Sequence, residues 1–163
     1  MNDDYRQWLD LAMSNGKQNK KVLQRLKRMR PTQIDRLFHE EHENAFKEID
    51  CLECANCCKT TSPIFRDIDI SRIAKHLNVK PTKLIDDYLH LDNEGDYVLK
   101  SSPCVFLQDD NKCSIYEYRP KACREYPHTD RKNMHQILNL TRKNTEVCPA
   151  VSKMVEAIKA NIQ

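Results

Sequence analysis

Glycine is nearly absent from this chain: there are two in 163 residues, alongside seven prolines. So few of either argue against a low-complexity chain, and no glycine-rich loop of the kind that cradles a nucleotide phosphate is present. No apolar run approaches the roughly 20 residues that a membrane-spanning helix needs, so no membrane association is expected. Neither sign of charge is in large excess: 27 basic against 24 acidic residues leave a net charge of +3, too small to dictate a nucleic-acid partner. The first residues, Met-Asn-Asp-Asp-Tyr-Arg-Gln-Trp, carry acids where a secretory signal carries bases, and no long apolar segment follows. Export is not expected, which makes the cytoplasm the expected location.

What is present bounds the rest. The length suits one domain, with room for an appendage, and 39% apolar against 31% charged residues allow a modest core that would gain from a metal staple. Tyr5, Trp8, Leu9 and Ala12 recur at helical spacing, as do Val22, Leu26 and Met29. Pro31 and Thr32 open a third helix, with Asp35 three residues after Thr32 and a stripe of Ile34, Leu37, Phe38, Ala45, Phe46 and Ile49. The spacing predicts a helical region over residues 1–50 and a cysteine-rich domain over 51–163.

In that second region, Ile70, Ile73, Ala74 and Leu77 form one helical face, and Pro81 starts a short helix carrying Leu84, Ile85, Tyr88 and Leu89. A turn follows at 93–96. A hairpin of residues 97–100 with 105–108 is expected around Asp109-Asp110-Asn111, with Pro103 arguing against it. Pro149 begins the last helix, whose face is Val151, Met154, Val155, Ile158 and Ile162. The expected fold class is therefore mainly α with minor β: a small metal-stabilised cysteine-cluster domain behind an N-terminal helical extension.

The decisive pattern is Cys51-x2-Cys54-x2-Cys57-Cys58, four thiols in eight residues, followed by Cys104, Cys113, Cys123 and Cys148. Two-residue spacers let successive thiolates converge on one ion, as in zinc knuckles and iron–sulfur proteins. The run has no helical apolar period and is expected to be a loop. Adjacent Cys57 and Cys58 point in different directions in most conformations, so they serve different metals, bridge them, or include one non-ligand. Eight thiolates suit two four-ligand sites or one cluster with four supporting cysteines. The ferredoxin run C-x2-C-x2-C-x3-C-P is not met, because the fourth cysteine comes too soon. A disulfide framework would account for the even count but not for the adjacent pair or the missing signal. Cys104, Cys113, Cys123 and Cys148 could each instead be buried small hydrophobes. Cys148 lies at a helix start, where amides and the helix dipole favour a thiolate, and Arg119 and Arg124 flank Cys123, where cations would offset cluster charge.

The order CxxCxxCC, Ser-Pro-Cys104-Val-Phe-Leu, Lys-Cys113-Ser-Ile-Tyr-Glu-Tyr-Arg-Pro-Lys-Ala-Cys123-Arg-Glu-Tyr-Pro and Cys148-Pro149 resembles the YkgJ-type cysteine-cluster family of zinc- or iron-chelating domains. The resemblance runs from about Cys51 to Pro149. It implies that all eight cysteines bind metal and specifies no small-molecule substrate. Larger proteins with a similar domain include flagellin lysine methylases, in which the cluster is thought to hold an iron–sulfur centre. This chain has little room for a methyl-donor domain, so methyl transfer is not expected.

Iron–sulfur is the preferred cofactor, for redox work or support of a partner enzyme; the alternative is a zinc-stabilised interaction module without catalysis. The thiol density and the absence of a two-pair zinc ribbon favour iron. Residues 17–30, with Lys17, Lys20, Lys21, Arg25, Lys27, Arg28 and Arg30 and no acid, could follow phosphates weakly. They could equally be a solvated face balanced by acids between Asp35 and Asp50. Residues 69–89 imitate a helix-turn-helix, but Asp86 and Asp87 would repel DNA. Of the six histidines, His128 is the best candidate for an extra ligand, while His39 and His42 suit a solvated helix face.

Overall fold

A computed structural model describes residues 3–162. The chain is mainly α, 61% helical, with one two-stranded sheet among the described residues. In order, the helices are α1 (Asp3–Ser14), α2 (Gly16–Leu26), α3 (Pro31–Phe46), α4 (Cys51–Cys54), α5 (Asn56–Thr60), α6 (Asp67–His76) and α7 (Pro81–Tyr88). Strands β1 (Leu89–Leu91) and β2 (Tyr97–Leu99) follow, then α8 (Lys121–Glu125), α9 (Leu138–Thr145) and α10 (Pro149–Asn161). Two compact units result. One runs through Cys54 and resumes at Pro127, and the other, Ala55–Tyr126, is inserted between these halves in sequence.

The first unit is organised around α10, which packs on α1, α2, α3 and α9. Its Val151, Met154, Val155 and Ile158 are all fully buried, as the three-and-four spacing demands, and Pro149 stands in the first turn, where its fixed φ suits a helix start. Leu9 and Ala12 of α1, Leu23 and Leu26 of α2, and Ile34 and Phe38 of α3 complete this core. Each large side chain so buried contributes about 1.5–3 kcal/mol. Two polar contacts bind distant segments: Ser152 Oγ donates to the Trp8 carbonyl (2.6 Å), and the Asp35 carboxylate accepts the backbone N–H groups of Asn133 (2.9 Å) and Met134 (2.8 Å). The helical pattern through Met29 overshoots. α2 ends at Leu26, and Pro31 disfavours helical backbone at Arg30, which is extended (ψ 135°) and separates α2 from α3.

The inserted unit is built from shorter pieces. Phe65, Ile70, Ile73, Leu84, Leu89, Leu99, Phe106 and Ile115 form its core, with Cys104 and Cys113 packed against it. The expected hairpin is corrected: residues 97–99 pair antiparallel with 89–91, in the register Leu89↔Leu99 and Leu91↔Tyr97, and not with 105–108. Leu89 is extended (φ −116°, ψ 155°), so α7 stops one residue before it. The reversal is set by Asp92, whose Oδ1 accepts from the N–H groups of Glu94 (2.9 Å) and Asp96 (3.0 Å), and by Gly95 at φ 85°.

An ion pair between a buried carboxylate and a half-buried guanidinium completes this unit. Asp69, 1% exposed, accepts from Arg72 Nη2 at 2.6 Å, from the Arg66 N–H at 3.3 Å and from the Lys121 N–H at 3.2 Å. Arg72 also donates to the carbonyls of Tyr118 (3.3 Å) and Arg119 (3.0 Å). One carboxylate and one guanidinium thereby anchor the segment leading into α8 on α6.

Candidate metal centre

The cysteine run is not a loop. Asp50 starts α4: its carboxylate accepts the Leu52 N–H (2.8 Å) and its carbonyl the Cys54 N–H (3.0 Å), while the Tyr5 hydroxyl accepts the Asp50 N–H (3.0 Å). Capping thus forms a helical turn where no apolar period exists. Cys51 and Cys54, three apart on that turn, share one face. Ala55 then adopts left-handed backbone (φ 47°, ψ 17°), which ends α4 and begins α5. Cys57 and Cys58 follow on α5, about 100° apart around its axis.

Cys104 donates its backbone N–H to the Cys58 carbonyl at 2.8 Å. A tight turn follows, closed by the Gln108 N–H to the Lys112 carbonyl (2.8 Å) and by a bridge between Leu107 and Cys113, and this sets Cys104 and Cys113 on the same core. Cys123 lies on α8, whose first N–H is held by Asp69. Asp69 and Arg72 were missed in the sequence. Their signal was a carboxylate beside the apolar face of Ile70 and Ile73, with an arginine three residues on.

All eight cysteines are thiols, none in a disulfide. The Cys58 thiol is raised well above the ordinary range, chiefly by its hydrogen bond to Cys57 and then by burial, with Lys59 opposing. Burial pushes Cys104 up to about 11 against the N–H groups of Phe106 and Leu107, with Cys58 and Cys113 adding to the rise. Cys113 is raised by burial and by Cys58, with the Ile115 N–H and Arg119 opposing. Burial takes Cys123 to about 12, helped by Cys58, Cys104 and Cys113 and opposed by Arg119. Burial likewise pushes Cys148 up to about 12; the N–H groups of Val151 and Ala150 lower it, and Cys51 and Cys54 raise it.

Cys58 is hydrogen-bonded to Cys57 and tied to Cys104 through the backbone, Cys104 and Cys113 pack on one core, and Cys51 and Cys54 share one helical face. Among the described residues, no three His, Cys, Asp or Glu side chains already stand in an arrangement that holds an ion. The donor chemistry nonetheless fits a metal. Buried thiols that repel one another's charge are costly to ionise alone, whereas a soft cation stabilises the thiolates it binds, and sulfur is the donor that zinc and iron–sulfur groups select.

Arg119 is the cation felt by Cys113 and Cys123; it stacks over Tyr116, 3.7 Å from the ring centroid. Arg124 is exposed on the helix that carries Cys123 and is not among the charges dominating at that thiol. His39 is exposed and paired with Asp130 (2.8 Å) and Glu43 (3.4 Å). His42 is half-buried, 2.8 Å from Thr129 Oγ1. His128 is half-buried with left-handed backbone (φ 65°).

A helical protein with a thiol-rich centre of this order is a cysteine-cluster protein. Residues 50–149 match the family described as "CxxCxxCC: Putative zinc- or iron-chelating domain", and the chain belongs to it. It is also similar to an uncharacterized protein of Methanocaldococcus jannaschii, 29% identical over 82 residues that cover 48% of this chain and 44% of that protein. The chain thus spans less than half the length of the curated relative it matches. No solved structure matches it. No helix among the described residues is long and apolar enough to cross a membrane.

Proposed function

We propose that the chain holds an iron–sulfur cluster through its cysteines, drawn from Cys51, Cys54, Cys57, Cys58, Cys104, Cys113, Cys123 and Cys148, and uses it in the cytoplasm for redox work or in support of a partner enzyme. The observation that supports this reading is that the Cys104 N–H donates to the Cys58 carbonyl (2.8 Å) while Cys104 and Cys113 pack on one core, which brings thiols from three separate segments of the inserted unit together. A donor set of sulfur alone suits iron–sulfur groups and zinc, and the thiol density without a two-pair ribbon spacing favours iron. When bound, such a group supplies one-electron transfer. The chain's part is to hold it in thiolate ligation, with the Arg119 charge offsetting the negative cluster.

Anaerobic purification with metal and acid-labile sulfide analysis tests this. The expected protein is brown, with broad visible absorption that bleaches on reduction. A colourless preparation with stoichiometric zinc and no sulfide would replace the redox reading with a zinc-stabilised interaction module, and metal-free protein would end both.

A second reading concerns α2 and the turn after it. Lys17, Lys20, Lys21, Arg25, Lys27, Arg28 and Arg30 are all exposed, and none makes an ion pair among the described residues, so the acids of α3 do not neutralise them by direct pairing. This supports weak, sequence-insensitive binding of nucleic-acid phosphates that salt steeply reduces. Sequence-selective, salt-independent binding would contradict it.

A further inference from the structure

The charges of the first unit are sorted by element. Residues 11–34 carry seven bases and no acid, and residues 131–145 carry Arg131, Lys132, Arg142 and Lys143, again with no acid. The rest of that unit has five bases against thirteen acids. The two acid-free segments meet in the fold, because α2 packs on α9. Between them runs a groove lined by the buried Leu23 and Leu138 and by Lys20, Lys27, Asn139 and Arg142. Lys27 Nζ reaches across to Asn139 Oδ1 at 3.5 Å. Arg142 pairs with Glu146 at 3.3 Å in a partly exposed contact, which a phosphate can displace.

We infer that this groove and the bases beside it bind the phosphates of a base-paired nucleic acid, so that α9 shares the interface with α2. The inference rests on the second reading above and names both its second wall and its ligand. Three observations select that ligand. The groove is about 50 Å³, far below the ~300–1,000 Å³ of small-molecule sites, so it takes one group of an extended ligand. Neither acid-free segment contains Phe, Tyr or Trp; unpaired strands are held largely by stacking their bases on aromatic rings, whereas a duplex turns its phosphates outward. The apolar face of α2, Val22, Leu23 and Leu26, is buried in the core, and α9 exposes a single large apolar side chain, Leu140, so neither helix has an apolar face to insert into a lipid surface. From Lys17 to its C-cap Lys27, α2 spans about 15 Å, over which one strand of a duplex presents about four phosphates.

The test titrates the full chain into labelled RNA and DNA duplexes of mixed sequence and into their separate strands, read by fluorescence anisotropy, with phosphatidylserine vesicles assayed by co-sedimentation. With four phosphates neutralised, duplex affinity is expected to fall roughly 150-fold between about 50 and 200 mM salt. Lys20→Gln with Lys27→Gln, and Arg142→Gln with Lys143→Gln, each remove two contacts and are expected to cut that fall to roughly 12-fold. Lys75→Gln with Lys80→Gln, exposed in the inserted unit, removes the same charge and is expected to leave the salt dependence unchanged. Helical circular dichroism checks that each variant is folded. Binding of either duplex in this pattern supports the inference. If Arg142→Gln with Lys143→Gln binds like the wild type while Lys20→Gln with Lys27→Gln is weakened, the interface is confined to α2, which overturns the inference and leaves the reading beneath it. Single strands bound more tightly than duplexes, vesicles bound in preference to both, or an equal change in the Lys75 and Lys80 pair also overturns it. A chain that binds no nucleic acid at about 50 mM salt ends the inference and the underlying reading together.

Discussion

The two units hold themselves together by different means. In the unit of α1–α4, α9 and α10, long helices bury apolar faces at regular spacing, and Phe38, Ile34, Met154 and Ile158 are wholly enclosed. In the inserted unit no helix exceeds ten residues; the core is small, its packing includes two cysteines, and the pair of buried Asp69 with half-buried Arg72 joins α6 to the segment before α8. Periodic apolar burial stabilises a fold without help. Short elements around thiols depend on a few directed bonds, and each of those can be removed singly.

Removing the metal should separate the units most sharply. A structural metal is worth about 10 kcal/mol to a small domain that depends on it. Chelation is therefore expected to drive amide hydrogen exchange in Ala55–Tyr126 towards the unfolded rate while α3 and α10 keep their protection; equal loss in both units would erase the contrast. Next in size, Phe38→Ala leaves a cavity in the first core and should cost about 4 kcal/mol in denaturant unfolding, with metal content unchanged. Arg72→Ala removes the charge paired with the buried Asp69 carboxylate, which keeps only the Arg66 and Lys121 N–H groups, and should cost about 2 kcal/mol, with exchange rising first around Tyr118–Lys121. Unaltered protection there would show that the pair does not anchor α8.

The smallest effect depends on pH. Burial depresses the His42 pKa below 6.5, with Asp130 and Glu43 opposing and His39 assisting. The folded state therefore resists protonating this ring. Its contribution to stability is complete above about pH 6.5 and falls away as pH drops through the lower folded value. The thermal midpoint of the wild type should thus fall more between pH 7 and 5 than that of His42→Gln, and parallel pH profiles would remove the effect.

The contrast between the units also explains what was legible in the sequence. Helices α1, α3, α6, α7 and α10 were visible because their apolar residues repeat at three and four, and Pro31, Pro81 and Pro149 mark the starts of three of them. The family was visible in the order of its cysteines. Helix α4 was not, since it rests on the cap at Asp50, and β1 was not, since Leu89–Leu91 continues the apolar content of α7 while its partner lies beyond the turn at Asp92. Asp69 was missed because its partner N–H at Lys121 lies 52 residues away, and no local pattern records a bond of that span.

The interruption of one unit by the other has a consequence for synthesis. Trp8 receives its hydrogen bond from Ser152, 144 residues later, and the helix that fills the first core is α10, near the chain's end. As the polypeptide leaves the ribosome, α1–α3 emerge with one apolar side uncovered and wait for α10, while Ala55–Tyr126 is already whole. Cys58, Cys104, Cys113 and Cys123 precede Cys148 in the chain, so the whole inserted unit leaves the ribosome before the helix that completes the first core.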